Sequence, residues 1–140
     1  MSHVIEFDAQ ERIIRVTVEG ELSDSVASDL YWSVQKFLSR HEVRGGVLDL
    51  SPVRSVSVSM DAVRVLSKNP PLFPGPVVRV IVAEGDLIFG MARMFQISRS
   101  EIHSELYVVR TLEEAYKIHG LVEPKFEVAD ERPMNGQAAG

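Results

Sequence analysis

Pro76-Val77-Val78-Arg79-Val80-Ile81-Val82-Ala83 is the stretch on which the fold turns. It is short, rich in β-branched residues and almost wholly apolar, the pattern of a strand covered on both faces in a parallel sheet. Val47-Leu48-Asp49-Leu50 reads the same way, with Gly45-Gly46 before it as the turn that closes the preceding connection. Between these runs the spacing predicts a helix from Met60 to about Lys68, with Ala62, Val63 and Leu66 on one side. Asn69-Pro70-Pro71 stops it, because proline lacks the amide hydrogen a helix needs and disfavours helical geometry just before it. Strand, helix, strand is a βαβ unit, and such units imply a parallel sheet with packed helices.

The same alternation of periods extends outward. Downstream, Asp86 is the expected cap of a helix from Leu87 to about Ser98 with Leu87, Met91, Met94 and Phe95 as its buried stripe. Leu106 to Val109 follows as a strand. Thr111-Leu112-Glu113-Glu114 fits a capping box, and Gly120 ends the last helix. Upstream, Val4 to Phe7 and Arg12 to Glu19 read as a hairpin around the polar turn Asp8 to Glu11, ended by Gly20. Ser23, Asp24 and Ser25 offer caps for a helix running to about His41, its apolar face formed by Val26, Leu30, Val34, Phe37 and Leu38. The order ββαβαβαβα predicts an α/β domain over 1–121 with a single mixed, mostly parallel sheet. Residues 122–140 read as a polar C-terminal tail, peripheral or disordered toward its end, although Lys125-Phe126-Glu127-Val128 alternates like an edge strand or a partner contact.

Composition narrows the function classes. A chain of 140 residues with 45% hydrophobic and 25% charged residues has the ordinary globular mix, which excludes a fibrous or mainly disordered protein. The net charge of −5, with no basic run, gives no general electrostatic reason to bind nucleic acid or anionic lipid. There is no cysteine, so disulfides, thiolate catalysis, iron–sulfur clusters and cysteine zinc sites are excluded. The four histidines show no metal-ligand spacing, and no phosphate-binding glycine motif or nucleophile elbow occurs. No cofactor and no enzymatic activity are therefore expected. No apolar run approaches the ~20 residues of a membrane span, and the opening MSHVIEFDAQERII lacks a signal-peptide core. The expectation is a cytoplasmic protein.

The candidate functional residues fall in two regions. In the serine-rich loop, Ser59 precedes Met60-Asp61-Ala62 as a helix cap. A phosphate on it would meet backbone amides at the positive helix end, with Arg54 or Arg64 to pair with it. Ser51, Ser57 and Ser59 read equally well as loop caps, and the Ser-Val alternation as a short extended segment. Asp49 ends a central strand, at the crevice edge where α/β proteins bind ligands, but without a nucleophile or base partner it is expected to bond nearby loop amides. In the third helix, Phe89, Met91, Met94 and Phe95 cover most of the circumference and suit a core, self-association or an apolar ligand. Arg93 among them is an anion contact or snorkels to solvent. Of the neighbours Tyr31 and Trp32, one must leave the apolar face and is free to anchor a partner.

The element order resembles the STAS domain, the fold of bacterial anti-sigma-factor antagonists. Val47-Leu48-Asp49-Leu50-Ser51 looks like the family's central strand and following loop. Ser57-Val58-Ser59-Met60 falls where those antagonists carry Asp-Ser-Ser-Gly. Phe89 to Phe95 and Val109 to Ala115 look like segments of small bacterial STAS-like proteins. The resemblance covers roughly residues 4–120. It implies a non-enzymatic regulatory module switched at Ser59 and Ser57 by a partner kinase that doubles as an anti-sigma factor. Here Ser57 replaces the family's aspartate, and Met60 the glycine after the phosphorylated serine. Asp49, Ser51, Arg54, Asp61 and Asp86 would then form the partner-binding surface. Two other functions remain open. One is a carrier of a small apolar ligand or lipid lined by Phe89, Met91, Arg93 and Phe95; the other is a structural homodimer joined through the third helix or an edge strand.

Overall fold

The computed structural model describes residues 3–68, 77–98 and 105–131. Along the chain lie β1 (His3–Asp8), β2 (Ile13–Val18), β3 (Gly20–Leu22), α1 (Asp24–Leu38), β4 (Gly45–Asp49), β5 (Val53–Val56) and α2 (Met60–Lys68). They are followed by β6 (Val78–Val82), α3 (Asp86–Ser98), β7 (Leu106–Val109), α4 (Leu112–His119) and β8 (Glu127–Glu131). Six strands form one sheet in the order β7-β6-β4-β2-β1-β8. β2, β4, β6 and β7 are parallel neighbours, and β1 runs antiparallel to β2 and β8. The expected α/β class with a mixed, mostly parallel sheet is what forms.

Sheet order follows from connection handedness. From β2 through β4 and β6 to β7 the chain steps in one direction, so right-handed crossovers stack α1, α2 and α3 on one face. α4 returns across the other face. Alternation along each strand then sorts the core. Ile14, Val16, Leu48 and Ile81 point to α1 and α3, whereas Ile13, Val47, Val80 and Val82 pack with α4.

Several boundaries depart from expectation. Gly45-Gly46 is not a turn but the start of β4, paired with Ile13 and Ile14 of β2 and with Val78 and Arg79 of β6. Gly20 does not merely end a strand. At φ +85° it redirects the chain into β3, which pairs in parallel with β5 from the serine-rich loop. α1 ends at Leu38, and the His41 ring folds back to stack on Phe37 at 4.0 Å between centroids. Asp86 is the first helical residue of α3 rather than its cap, and its carboxylate accepts from Arg110 at 2.8 Å. The stripe of α3 is accordingly rotated: Ile88 and Ala92 are buried, and Leu87 and Met94 are exposed. The strand expected over Pro76 to Ala83 spans Val78–Val82; Pro76 and the Asn69-Pro70-Pro71 stop lie outside the described residues.

The chain after α4 is tied back to the hairpin. Asp8 accepts the amides of Glu11 at 3.0 Å and Lys125 at 2.8 Å. Burial pushes the Asp8 carboxyl up, but the amides of Glu11, Lys125 and Gln10 and the Lys125 charge outweigh it and hold the group below its ordinary value. Arg15 grips Glu6 and Tyr116 and lies 4.3 Å over the Phe126 ring. These contacts seat β8 against β1.

α4 forms as expected, with both capping-box bonds present and Gly120 at φ +71°. Its last residue, His119, is buried over Gly45, and Nε2 donates to the Gly46 carbonyl at 2.9 Å. A Cβ on Gly45 would stand 2.7 Å from that ring. Burial lowers the His119 pKa; the bond to Gly46 opposes this and the nearby Arg44 charge adds to it. The folded protein therefore holds His119 neutral where the unfolded chain, at the ordinary value of 6.5, starts to bind a proton. This contribution to stability is fully present above pH 6.5 and is lost as pH falls through the lower folded value. Denaturant titrations of His119→Gln should show a shallower loss of stability below pH 6.5 than the wild type; parallel pH profiles would show that His119 is not the group responsible.

Candidate functional site

A cavity of about 250 Å³ lies between the sheet and the three-helix layer. Ile14, Leu48 and Ile81 form its floor. Leu30 and Val34 of α1, Val63 and Leu66 of α2, and Met91 and Phe95 of α3 form its walls. The space exists for two reasons. α2 is a nine-residue helix that packs on α3 rather than settling on the sheet. Where a large side chain would fill the layer, the lining carries Gly46, Ala27 and Ala92. The lining is almost wholly apolar, so water entering this space finds few polar partners there.

The ends of α1 and α2 are joined at the edge of this cavity. Ser23 caps α1, its Oγ accepting from the Val26 amide. Asp24, the first residue of α1, accepts from the Ser59 amide at 2.8 Å and from the Ser59 hydroxyl at 3.0 Å. The same hydroxyl oxygen accepts from the Ala62 amide at 3.0 Å, so Ser59 caps α2 as its sequence position predicts. Ser57 is held separately, its hydroxyl donating to Glu21 at 2.7 Å and its amide to Leu22.

The remaining sequence candidates are engaged locally. Asp49 is buried and accepts from both the amide and the hydroxyl of Ser51, so it shapes the loop after β4. Asp61 pairs with Arg64 at 2.7 Å, while Arg54 is exposed on β5. Asp86 pairs with Arg110, whose guanidinium lies 3.9 Å over the Phe89 ring. Phe89 packs against the core beneath Arg110 and is not part of the cavity lining, whereas Met91 and Phe95 are. Arg93 points outward and donates to Gln96, which in turn holds the Leu106 carbonyl. Tyr31 turns into the cavity lining and Trp32 to solvent, at 56% exposure. Leu87, Met94 and Ile97 form an exposed outer stripe on α3.

The cavity residues that sequence reasoning missed are on α1, α2 and the sheet. Their only signal is small residues, Ala27, Gly46 and Ala92, at positions of the apolar faces. Among the described residues no group of three or more histidine, aspartate or glutamate side chains is placed to hold a metal ion. No helix among them is long and apolar enough to cross a membrane. The chain matches no protein-family model, and no curated protein matches it at a significant level.

The junction at Ser59 is testable by stability alone. Ser59→Ala removes the cap and the hydroxyl bond to Asp24 and should cost about 1–2 kcal/mol. Asp24→Ala should cost a similar amount, and the double variant less than the sum by at least about 0.5 kcal/mol. Strict additivity in chemical denaturation would mean that the two side chains do not interact.

Proposed function

We propose that this chain is a non-enzymatic STAS-like module of the cytoplasm that binds one small apolar molecule between its sheet and its three-helix layer. The observation that carries this reading is the cavity: about 250 Å³, with walls built almost entirely from aliphatic, methionine and phenylalanine side chains. It exceeds the ~150 Å³ cavity that admits benzene and falls short of the ~300 Å³ where drug-sized pockets begin. One short chain or a single ring system fits that range. The two cavity residues foreseen on α3, Met91 and Phe95, are part of the lining.

The neutral dye N-phenyl-1-naphthylamine should bind saturably, one per chain. Val63→Trp, which puts an indole into the space from α2, should weaken it by at least about tenfold without lowering the melting temperature. A dye signal that fails to saturate, or one unaffected by the filled cavity, would overturn the reading.

A regulatory reading is favoured by one observation, the clasp of Ser59 on Asp24. A phosphate at Ser59 would set a dianion against the Asp24 carboxylate and push the ends of α1 and α2 apart. A partner kinase acting there would then couple modification to cavity access. Ser59→Asp should accordingly weaken dye binding several-fold relative to Ser59→Ala; equal affinities in the two variants would remove the switch.

A further inference from the structure

The outer face of α3 has a pattern that reads the same from both ends. The helix packs on β7 and α2, and its inner side holds the buried Ile88 and Ala92. The other side is exposed, with Leu87 at 68%, Met94 at 41% and Ile97 at 64%, and with Asp86, Gly90 and Arg93 among them. Seven residues are close to two turns, so Leu87 and Met94 share one flank of this face and Asp86 and Arg93 share the other. Gly90 lies between the flanks and between the members of each pair. A Cβ there would meet nothing within 4 Å. Glycine inside a helix is costly relative to alanine, and packing within the chain does not require it at this position.

A second copy of α3, laid antiparallel with the two-fold axis at Gly90, complements this face group by group. At ~1.5 Å per residue, Asp86 lies about 6 Å along the helix from the axis, and Arg93 of the second copy lies about 4.5 Å from it on the same side. Leu87 and Met94 of the second copy are level in the same way. The two-fold keeps each flank on its own side, so the apolar pair meets along one edge of the contact and the charged pair along the other, each twice. The bare backbone at Gly90 lets the two helices approach closely where they cross. The charged groups are accessible. The Asp86 side chain is 95% exposed, and a carboxylate that accepts from Arg110 has lone pairs for a further donor. Arg93 is exposed and donates through one guanidinium nitrogen to Gln96, which leaves other N–H groups of its fork to donate outward. A parallel pair would instead set Asp86 beside Asp86 and Arg93 beside Arg93, which repel.

We propose that α3 is a self-association surface that joins two copies of this chain antiparallel about Gly90, with Leu87 on Met94 and Asp86 on Arg93. Exposed ion pairs add little affinity. Here they set direction and register, while the apolar flank and the close crossing supply the attraction. One helix on one helix falls at the low end of interface sizes, so the dimer is reversible, with a micromolar rather than a nanomolar dissociation constant. Met91 and Phe95 lie on the cavity side of α3, so association neither needs the cavity nor blocks it.

Sedimentation equilibrium of the full chain between about 5 and 500 µM tests this, and the wild type should follow a monomer–dimer equilibrium. Arg93→Glu brings two carboxylates together and Asp86→Lys brings two cations together, so each variant alone should dimerise at least about tenfold more weakly. Their equimolar mixture should recover to within about threefold of the wild type, because each chain then offers the charge the other lacks at both positions. Gly90→Gln should weaken the dimer by at least about tenfold without lowering the melting temperature, since its side chain enters open space and glutamine favours helix. Circular dichroism melting checks that each variant is folded; if Asp86→Lys is not, Arg93→Glu and Gly90→Gln carry the test. A wild type that stays monomeric to the highest concentration would overturn the proposal. So would a mixture that associates no better than its components, or a Gly90→Gln dimer as tight as the wild type.

Discussion

β4 has no free edge, and helices lie on both sides of it. β2 and β6 bond to it on either side, α4 packs on Val47, and the three-helix layer lies over Leu48. Both neighbours are parallel to it, so each must be reached by a crossover, and the crossovers fix where the helices lie. Its first two residues are the point at which both faces are decided. Side chains alternate, so Gly45 opens toward α4 and Gly46 toward the cavity. The first absence lets His119 come down onto the sheet and bond the Gly46 carbonyl. The second puts no side chain on the cavity face at that position.

The two sides of the sheet therefore have different characters. On the α4 side, Ile13, Val47, Val80, Val82 and Ala115 close into a packed core, and Arg15 with Glu6, Tyr116 and Phe126 secures the chain that leads to β8. On the other side α1 and α3 reach the sheet while α2 stands away from it. A closed, well-filled face carries the stability that lets the opposite face remain open. Loosely covered faces of this kind are where ligand sites are found, because their filling is not already accomplished by the chain itself.

Much of the architecture was legible locally. The capping box at Thr111, the glycine stop at 120, the cap at Ser59 and the buried strands at 47–50 and 78–82 each follow from interactions between residues a few positions apart. The errors share one cause. Asp86 was read as a cap although it is the first residue of α3 and pairs with the distant Arg110, and the stripe of α3 is set by which of its residues meet the core, Ile88 and Ala92. Gly45-Gly46 was read as a turn because paired glycines usually are, and only pairing with β2 and β6 makes them strand. The serine-rich loop was read as caps, a switch or a short extended segment, and the structure uses part of it as β5, an extended partner for β3, and the rest to bind α1 to α2.

The amino-acid sequence by itself determined the class of fold and the chemistry that is absent. Hydrophobic periodicity is a local property, so alternating β-branched runs and amphipathic helices specify an α/β sheet, and a chain without cysteine has no thiolate to offer. What only the tertiary structure decided is the site. Met91 and Phe95 face the cavity while Phe89, on the same helix, is taken by Arg110. Ile81, inside the very run that defines the fold, becomes part of the cavity floor. That outcome depends on which side of a twisted sheet each residue meets and on how far α2 stands from it, and these follow from contacts between segments dozens of residues apart.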